Sequence, residues 1–442
     1  MSDQEFELPE NTHTVILGMG DMNGIMRGKR MPASHWETVC REGNAHSMVL
    51  LAMDMTCDVW DTPYVNFDNG YPDMHIYPLT RPVSLPWEPG VAVSFGRAQG
   101  ADHKPVPIDP RNALITQVER AAKMGFSVQV GTELEFYLLD PETLKPRDTG
   151  IQVYGLERAA ELEHVLGPIR TQINECGIPI EQSNPEYAPG QVEVNIRYDE
   201  ALLAADRVVM FRTLVKQLAG VHGYKATFMA KPFFDLSGNG FHTHYSLWSD
   251  GENADSGGKN AFSDGGNLSG IGRNFVAGLQ KRMAETAVTG SATVNGFRRR
   301  QPLSFCPVNT SWGVDNRTVG IRIVEGSDCA VRVEKRDAGA DCNPYLLLAA
   351  DIAAGLDGIE QQLEPTAPCT GNAYEDTDAS PIPSDLGDAI AQARNSGWLK
   401  EVMGYLTFEL YLQMCERELH FYNQHLANQV TSLERERYLS NF

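Results

Sequence analysis

Four apolar segments of the chain carry charged or metal-binding side chains at alternate positions, and this pattern constrains the fold more than any other feature. In the first segment, residues 130–139, Glu133 and Glu135 are separated by one residue. In a β-strand, this spacing directs both carboxylates to one face, while Leu134 and Phe136 point to the other. Because the four segments lie far apart in the chain, the pattern predicts one site assembled from several strands.

The other three segments follow the same alternation and add histidine and arginine to the acids. They are residues 191–195 with Glu193, residues 240–244 with His242 and His244, and residues 331–336 with Arg332, Glu334 and Arg336.

Two carboxylates about 4 Å apart repel each other by roughly 4 kcal/mol at an effective dielectric constant of 20. A divalent cation bound through carboxylate oxygens is the usual compensation.

Each segment alone also has a structural interpretation. Glu-x-Glu can be a solvated strand face, His-x-His a structural or zinc-like pattern, and Arg-x-Glu-x-Arg a row of ion pairs.

Length and charge limit the possible classes of protein. The chain has 442 residues, enough for two or three domains. Its net charge of −21 disfavours nucleic acid and anionic membrane as partners. It has no apolar run of about 18 residues, the length a membrane span needs, and its acidic start lacks the features of a secretory signal. Its eight cysteines form no CxxC motif. We expect a cytoplasmic protein without disulfides or a zinc cluster.

Turn and proline signals divide the chain into two predicted domains. Asn23-Gly24 lies between two strand-like runs and predicts a β-hairpin. Prolines recur between Tyr77 and Pro110, which places a boundary near residue 107. Helices are predicted at about 156–176, 200–223 and 268–290, and from Asp388 to the end. The prediction is an α+β protein with a β-rich domain at 1–107 and a larger, catalytic domain at 108–442.

Arginines are concentrated between residues 298 and 336. In so acidic a chain, this concentration favours an anion site that binds phosphates or carboxylates over a solvated patch. The arginines are Arg298, Arg299, Arg300, Arg317, Arg322, Arg332 and Arg336.

Several of these motifs occur in the order found in glutamine synthetases, and the chain resembles that family from about residue 14 to its end. Residues 27–32 and 338–344 further resemble the branch of γ-glutamyl-amine ligases typified by γ-glutamylputrescine synthetase. The shared motifs are residues 131–136, Glu186 with 189–193, 231–232 with 238–244, 316–322, 332–336 and 343–345.

The resemblance implies a fold and an assembly. It implies an N-terminal β-grasp domain and a C-terminal catalytic domain in which a funnel of antiparallel strands is surrounded by helices. It also implies a homo-oligomer of stacked rings, commonly a dodecamer, with active sites between neighbouring subunits.

The resemblance also implies ATP and two divalent cations, Mg²⁺ or Mn²⁺, at each site. One ion would be held by Glu135, Glu186 and Glu193, and the other by Glu133, His242 and Glu334. The carboxylates of L-glutamate would be bound by Arg299 and Arg336, with Gly238 on its amino side. The ATP phosphates would face Arg317, Arg322 and Arg332, and His244 would lie beside the nucleotide.

One departure from the family pattern concerns the second substrate. Ammonia-using members carry a glutamate on a flap loop, and the matching stretch, residues 299–307, has Phe305 there instead. An aromatic ring suits an organic amine better than ammonium. Asp54, Tyr154 and Trp60 align loosely with positions around the amine.

The predicted function is ATP-dependent ligation of the γ-carboxylate of glutamate to an organic amine, such as a polyamine or a small alkyl- or arylamine. The reaction would pass through a γ-glutamyl phosphate and would serve amine catabolism. An ordinary ammonia-dependent glutamine synthetase is one alternative. A catalytically silent structural or nitrogen-sensing relative is the other.

Overall fold

Two β-sheets form the framework of the protein, and the larger one contains the four alternating segments. The structure is a computed structural model, and it describes residues 6–147, 150, 153–251 and 253–439. None of the helices in these ranges is long and apolar enough to cross a membrane.

The first sheet is N-terminal and is built around the predicted hairpin. Its strands are β1 (Thr14–Gly20), β2 (Met26–Pro32), β3 (Asn44–Ser47), β4 (Asp73–Pro78), β5 (Val83–Ser84) and β6 (Val91–Gln99). Their order is β2-β1-β6-β4-β3, with β5 beside β6. Strands β1 and β6 pair in parallel, and the other neighbours pair antiparallel.

The hairpin between β1 and β2 confirms the interpretation of Asn23-Gly24 as a turn. Gly24 has a φ of 71°, a conformation that favours glycine. The Asp21 carboxylate accepts hydrogen bonds from the backbone N–H groups of Asn23, at 2.9 Å, and Ile25, at 2.8 Å. These contacts fix the turn.

The second sheet has nine strands in the described part of the chain, and it carries the candidate site. In chain order, the remaining strands are β7 (Ser127–Leu139), β8 (Ile180–Pro185), β9 (Gln191–Glu200), β10 (Lys225–Thr227), β11 (Gly240–Ser249), β12 (Lys259–Asn260), β13 (Ser263–Asp264), β14 (Asn267–Leu268), β15 (Trp312–Val314), β16 (Ile321–Val324) and β17 (Arg332–Gly339). The large sheet runs β15-β16-β17-β11-β7-β9-β8, with β10 on β7 and β12 on β11, while β13 and β14 form a separate hairpin.

Strand register brings the four segments together. Antiparallel pairing sets His242 opposite Glu133, Glu193 opposite Glu135, and Glu334 opposite His244. Because alternate side chains share a face, the acids and histidines collect on one side of the sheet. The other side is apolar, and Leu134 and Phe136 are completely buried there.

Twelve α-helices cover the sheets in the described residues. They are α1 (Trp36–Glu42), α2 (Arg111–Lys123), α3 (Leu156–Glu175), α4 (Ala201–Val221), α5 (Gly270–Arg282), α6 (Ala287–Gly290), α7 (Val294–Phe297), α8 (Pro344–Glu360), α9 (Leu386–Asn395), α10 (Gly397–Met403), α11 (Tyr405–Ala427) and α12 (Ser432–Tyr438).

The helices predicted at 156–176 and 200–223 are confirmed as α3 and α4, and those predicted from Asp388 onward as α9 to α12, whereas the single helix predicted at 268–290 was too long. The segment 268–290 is divided into α5 and α6. In the C-terminal region, the Ser396 hydroxyl accepts a hydrogen bond from the backbone of Leu399 and so caps the start of α10. Gly404, with a φ of 76°, then separates α10 from α11. Local caps and turns thus set the boundaries between successive helices, which periodicity alone did not specify.

A fully buried ionic network fixes β17 against helix α8. Lys335 Nζ lies 2.8 Å from the Asp337 carboxylate and 2.9 Å from that of Asp351, and the Tyr245 hydroxyl donates to Asp351 at 2.8 Å. These side chains point away from the site, whereas their neighbours Glu334 and Arg336 point into it. The network therefore fixes the strand that carries two candidate site residues.

Replacement of Lys335 by methionine is expected to lower the free energy of unfolding by about 3 kcal/mol, because two buried carboxylates lose their cation. Urea unfolding would measure the change. Lys400→Met is the matched control, since Lys400 is 42% exposed and its pair with Glu409 at 3.6 Å should contribute less than about 1 kcal/mol. Equal losses in the two variants would contradict this role of Lys335.

Candidate active site

Glu135, Glu186 and Glu193 form the first acidic cluster. Each offers a carboxylate oxygen, and these three atoms lie within 4.8 Å of one another. Glu135 and Glu193 are held by the pairing of β7 with β9. Glu186 follows β8, and a turn closed by its N–H bond to Gln191 O at 2.8 Å directs it back towards them. The structure thus brings together the three residues predicted to hold one ion.

The electrostatics of this cluster suit a bound cation. Burial and repulsion by Glu135 raise the pKa of Glu186 to about 7. Burial and repulsion by Glu133 and Glu135 raise the pKa of Glu193 to about 9. The carboxylates can therefore be charged together at neutral pH only when positive charge lies between them. A hard divalent cation with oxygen ligands fits this set of donors.

Glu133 is the centre of the second cluster and contacts both histidines. Its carboxylate lies 3.2 Å from His242 Nδ1 and 2.9 Å from His244 Nε2, and His242 Nδ1 is 3.7 Å from Glu334. The predicted ligand set is Glu133, His242 and Glu334. Around Glu133, the groups of three described residues whose ligand atoms lie within 4.8 Å of one another are Glu133, His244 and Glu334, and Glu133, Glu193 and His242. His244, assigned to the nucleotide from the sequence, is therefore as well placed for an ion as His242.

The acids of the second cluster are held in the charged form. Burial acts to raise the pKa of Glu133, but His244 and His242 outweigh it and hold this pKa well below its usual range. Burial also opposes ionisation of Glu334, yet Arg336 and the two histidines lower its pKa to about 2. In the second cluster, Glu334 is thus paired with the guanidinium groups of Arg322 and Arg336, whereas in the first cluster the neighbouring acids repel Glu186 and Glu193.

Arginines connect the second cluster to its surroundings. Arg322 lies 2.9 Å from Glu334, whose other oxygen accepts a bond from Arg336. Arg332 Nε donates to His244 Nδ1 at 3.2 Å. Arg332 and His244 also line a cavity of about 220 Å³ that reaches Trp248. This cavity offers an aromatic wall and positive charge, as a nucleotide site requires.

A second cavity, of about 240 Å³, lies on the other side of the acids. Glu135, His242, Gly238 and Phe305 line it together with Arg299 and Arg336, which are 6% and 5% exposed. A Cβ atom on Gly238 would lie 2.5 Å from the Arg299 side chain and 2.8 Å from the Ala230 carbonyl oxygen, so only glycine lets Arg299 pass there. The predicted glutamate-binding residues therefore share one small polar cavity.

The flap over this cavity is strained. Leu303 and Phe305 have φ values of 63° and 59°, uncommon for residues with side chains, and are 75% and 59% exposed. The Tyr374 hydroxyl donates to the Cys306 carbonyl at 3.1 Å and anchors the flap base. Sequence reasoning gave Tyr374 no part in the site, and no local motif links it to a loop almost 70 residues earlier.

The three consecutive arginines do not act as one cluster, which corrects the anion-site interpretation for two of them. Arg299 alone lines the glutamate-side cavity. Arg300 is buried, donates to the Pro383 carbonyl at 2.8 Å and lies 3.7 Å from Asp337. Arg298 is exposed and bonds to Tyr422. Successive backbone positions send their side chains in different directions, so adjacency in sequence was misleading.

The remaining predicted residues lie at the edge of the site or away from it. The pKa of the Tyr154 hydroxyl is raised by burial and by the negative charges of Glu193 and Glu186, so this side chain lies within electrostatic range of the first cluster. The positive charge of Arg317, an exposed residue, acts in the opposite direction and lowers the pKa of the same hydroxyl. Asp54 accepts hydrogen bonds from the backbone of its own loop, and Trp60 lies under Arg417 at 5.2 Å. Asp54 and Trp60 lie in the N-terminal region, and neither lines the two cavities described above.

Comparison with known proteins decides the family. Residues 107–438 match the model of the glutamine synthetase catalytic domain. The chain belongs to the glutamine synthetase family. Among curated relatives, it is 33% identical to a glutamate–isopropylamine ligase from Pseudomonas sp. over 96% of this chain and 95% of the relative. It is 36% identical to the γ-glutamylethanolamide synthetase GlnA4 of Streptomyces coelicolor over 92% of this chain and 89% of the relative.

Solved structures support the same assignment. The fold matches that of GmaS bound to ADP with a TM-score of 0.85 at 29% identity, covering 97% of each chain. These findings confirm the family, its γ-glutamyl-amine branch and the fold with its funnel of strands. This member of the family is an ATP-dependent ligase that forms a C–N bond. Ligases of this family use ATP with divalent metals, take glutamate and an amine, and are typically oligomeric.

Proposed function

We propose that the protein joins the γ-carboxylate of L-glutamate to an organic amine, through a γ-glutamyl phosphate, and releases a γ-glutamylamide, ADP and phosphate. The observation that carries this proposal is Phe305. Its ring lines the same cavity as Arg299 and Arg336, at the place where ammonia-using relatives are expected to present an acid. The relatives that act on isopropylamine or form an ethanolamide support the same substrate class.

Glutamate would bind with its carboxylates on Arg299 and Arg336 and its amino group near Gly238. Buried guanidinium groups bind carboxylates through two parallel hydrogen bonds and so fix their orientation. Glu135 and His242 line the same cavity, so the γ-carboxylate would lie beside the acidic clusters. The reacting oxygen would therefore lie next to the residues that organise phosphoryl transfer.

ATP would occupy the cavity lined by His244 and Arg332, with its phosphates facing Arg317, Arg322 and Arg332. Two ions, Mg²⁺ or Mn²⁺, are proposed for the acidic clusters. One would be held by Glu135, Glu186 and Glu193, and the other by Glu133, His242 and Glu334, with His244 close to the second. When bound, such ions neutralise charge on the transferred phosphoryl group. Arg317 and Arg299 would stabilise the charge that develops on the reacting groups.

The amine would enter beneath the flap. Phe305 offers it an apolar surface and a cation–π face, and the exposed flap would close to exclude water from the acyl phosphate. Tyr154 would contribute from the side of the first cluster, since the charges of Glu193 and Glu186 add to burial in raising the pKa of its hydroxyl. Asp54 would contribute from a neighbouring subunit, which requires the proposed ring assembly, a homo-oligomer that is probed by measuring its mass in solution.

Residues 1–107 would form a β-grasp domain, and residues 108–442 would form the catalytic domain that holds ATP, metal and glutamate. All proposed metal ligands fall in the second range. A cytoplasmic location is part of the same proposal, because the enzyme would consume ATP and glutamate there.

Phosphate release in the presence of glutamate, ATP and Mg²⁺ tests the substrate class directly. We expect turnover with at least one amine among putrescine, isopropylamine, ethanolamine and aniline, and at least about tenfold lower kcat/KM with ammonia, a difference of about 1.4 kcal/mol. Turnover with ammonia alone would instead identify an ordinary glutamine synthetase. That alternative has its own support, since a Thermococcus kodakarensis relative with 31% identity is a glutamine synthetase. Metal binding without ATP turnover would indicate a silent relative.

A further inference from the structure

A third cavity, of about 230 Å³, lies between the β1–β2 hairpin and helices α4 and α11. Among the described residues, those that line it are separate from the residues lining the nucleotide-side and glutamate-side cavities. Its wall is rich in methionine, with five of them at its surface. These are Met22, Met26, Met55, Met229 and Met414. Methionine adapts its shape to apolar ligands, so the wall suits a small apolar body.

Arg212 gives this cavity a built anion-binding group. The side chain is 7% exposed, and its Nη1 donates to the Cys342 carbonyl at 2.8 Å. Its Nε and Nη2 have no hydrogen-bond partner among the residues that the structure describes. These two nitrogens form one edge of the planar guanidinium, the edge that binds a carboxylate through two parallel hydrogen bonds. Burial of unpaired donors is unfavourable, so this edge is suited to an incoming carboxylate.

Acidic side chains line the same cavity and would repel a simple anion. Asp341 Oδ1 also lacks a hydrogen-bond partner within the described part of the chain. Burial raises the pKa of Glu418, and repulsion from Asp54 and Asp341 adds to the effect. Lys216 also lines the cavity, so the lining carries charges of both signs, and a ligand with both a carboxylate and an ammonium group matches it.

We infer that this cavity binds a small zwitterion with an apolar body, its carboxylate on Arg212 and its ammonium group facing Asp341 and Glu418. An apolar α-amino acid is the simplest molecule of this chemistry. The inference rests on Arg212, Asp341 and Glu418, which line neither of the two active-site cavities. Asp54, assigned above to the amine site of a neighbouring subunit, also lines this cavity.

Asp341 connects this cavity to the glutamate side of the active site. A Cβ atom on Gly339 would lie 2.9 Å from Asp341 Oδ1 and 3.8 Å from Arg299 Nη1, so the two charged groups flank the same glycine. A charged ligand group next to Asp341 would therefore change the electrostatic potential at Arg299. This makes the cavity a candidate regulatory site.

Calorimetric titration of the full-length protein, saturated with glutamate to fill the active site, tests the inference with L-leucine and L-methionine as probes. We expect saturable binding of at least one of them. For that amino acid, the N-acetyl derivative, which lacks the ammonium charge, and the amide, which lacks the carboxylate, should bind at least about tenfold more weakly, because each loses one charged contact. Equal binding of the amino acid and both derivatives would overturn the proposed recognition.

Two variants locate the binding. Arg212→Lys keeps the positive charge but removes the paired Nε and Nη2 edge, and should weaken binding by about tenfold. Ala292→Leu should abolish binding by filling the cavity while leaving Arg212 in place. Arg207→Lys is the matched control on the same helix, since Arg207 pairs with Asp199 at 2.6 Å, outside this cavity, and should bind as the parent protein does.

Unchanged affinity in both Arg212→Lys and Ala292→Leu would overturn the assignment, as would the absence of saturable binding of both amino acids. Because the readout is binding, these outcomes are distinct from failure of the proposed ligase function, which would appear as missing turnover in the amine panel.

Discussion

Glu193→Gln is expected to reduce kcat by about a thousandfold or more while raising the melting temperature of the metal-free protein. The variant removes one carboxylate of the first cluster, and stabilisation of about 4 kcal/mol at the phosphoryl group corresponds to that factor. The stability should rise because burial and the neighbouring acids make the charged form of Glu193 unfavourable. Phosphate release and thermal melting measure the two effects.

The same variant separates a metal site from a merely acidic face. In the parent protein, Mn²⁺ should raise the melting temperature, because it binds the folded cluster, and Glu193→Gln should lose most of that increase. Glu200→Gln is the matched control, since Glu200 is exposed at the end of the same strand. An undiminished response to Mn²⁺ in Glu193→Gln would contradict the assignment of this cluster to an ion.

Arg299→Lys is expected to lower kcat/KM for glutamate by about a hundredfold with little change in KM for ATP. Lysine keeps the charge but cannot both reach the Ala338 carbonyl, to which Arg299 donates at 2.8 Å, and offer two parallel hydrogen bonds to a carboxylate. A hundredfold loss corresponds to about 2.7 kcal/mol. Steady-state kinetics with each substrate varied in turn would measure it.

Arg298→Lys provides an unusually close control for this second prediction. Arg298 precedes Arg299 directly but is exposed and contacts Tyr422, so we expect less than about a twofold change. A comparable loss in both variants would mean that local disruption of the loop, and not substrate binding, explains the effect.

The sequence contained most of the information about the sheet and about which acids meet on it. The alternation of Glu133 with Leu134 and of Glu135 with Phe136 dictates which face each side chain takes. Antiparallel pairing then brings the same faces of neighbouring strands together. The single acid Glu193 within an apolar strand was informative for the same reason. Burial of its carboxylate is unfavourable unless a partner is nearby. Glu193 therefore predicted a neighbouring charged group or cation from outside its own strand.

What could not be predicted depends on contacts between distant, irregular segments. The support of the flap by Tyr374 and the left-handed backbone of Phe305 leave no local pattern. His244 illustrates another difficulty. Its face was predictable, but its 2.9 Å approach to Glu133 depends on side-chain rotation, which alternation does not specify. The separate environments of Arg298, Arg299 and Arg300 likewise arise from loop geometry.

The pairing of β7 with β9 and β11 has a consequence for how such an enzyme can change its substrate. The distances among the carboxylates and imidazoles are set by the backbone ladder, since residues opposite each other on adjacent strands have a fixed separation. Phe305, Tyr154 and Asp54 instead lie on loops, where replacement disturbs no ladder. A lineage can thus exchange one amine for another by altering loops, while the chemistry that activates glutamate is inherited unchanged with the sheet.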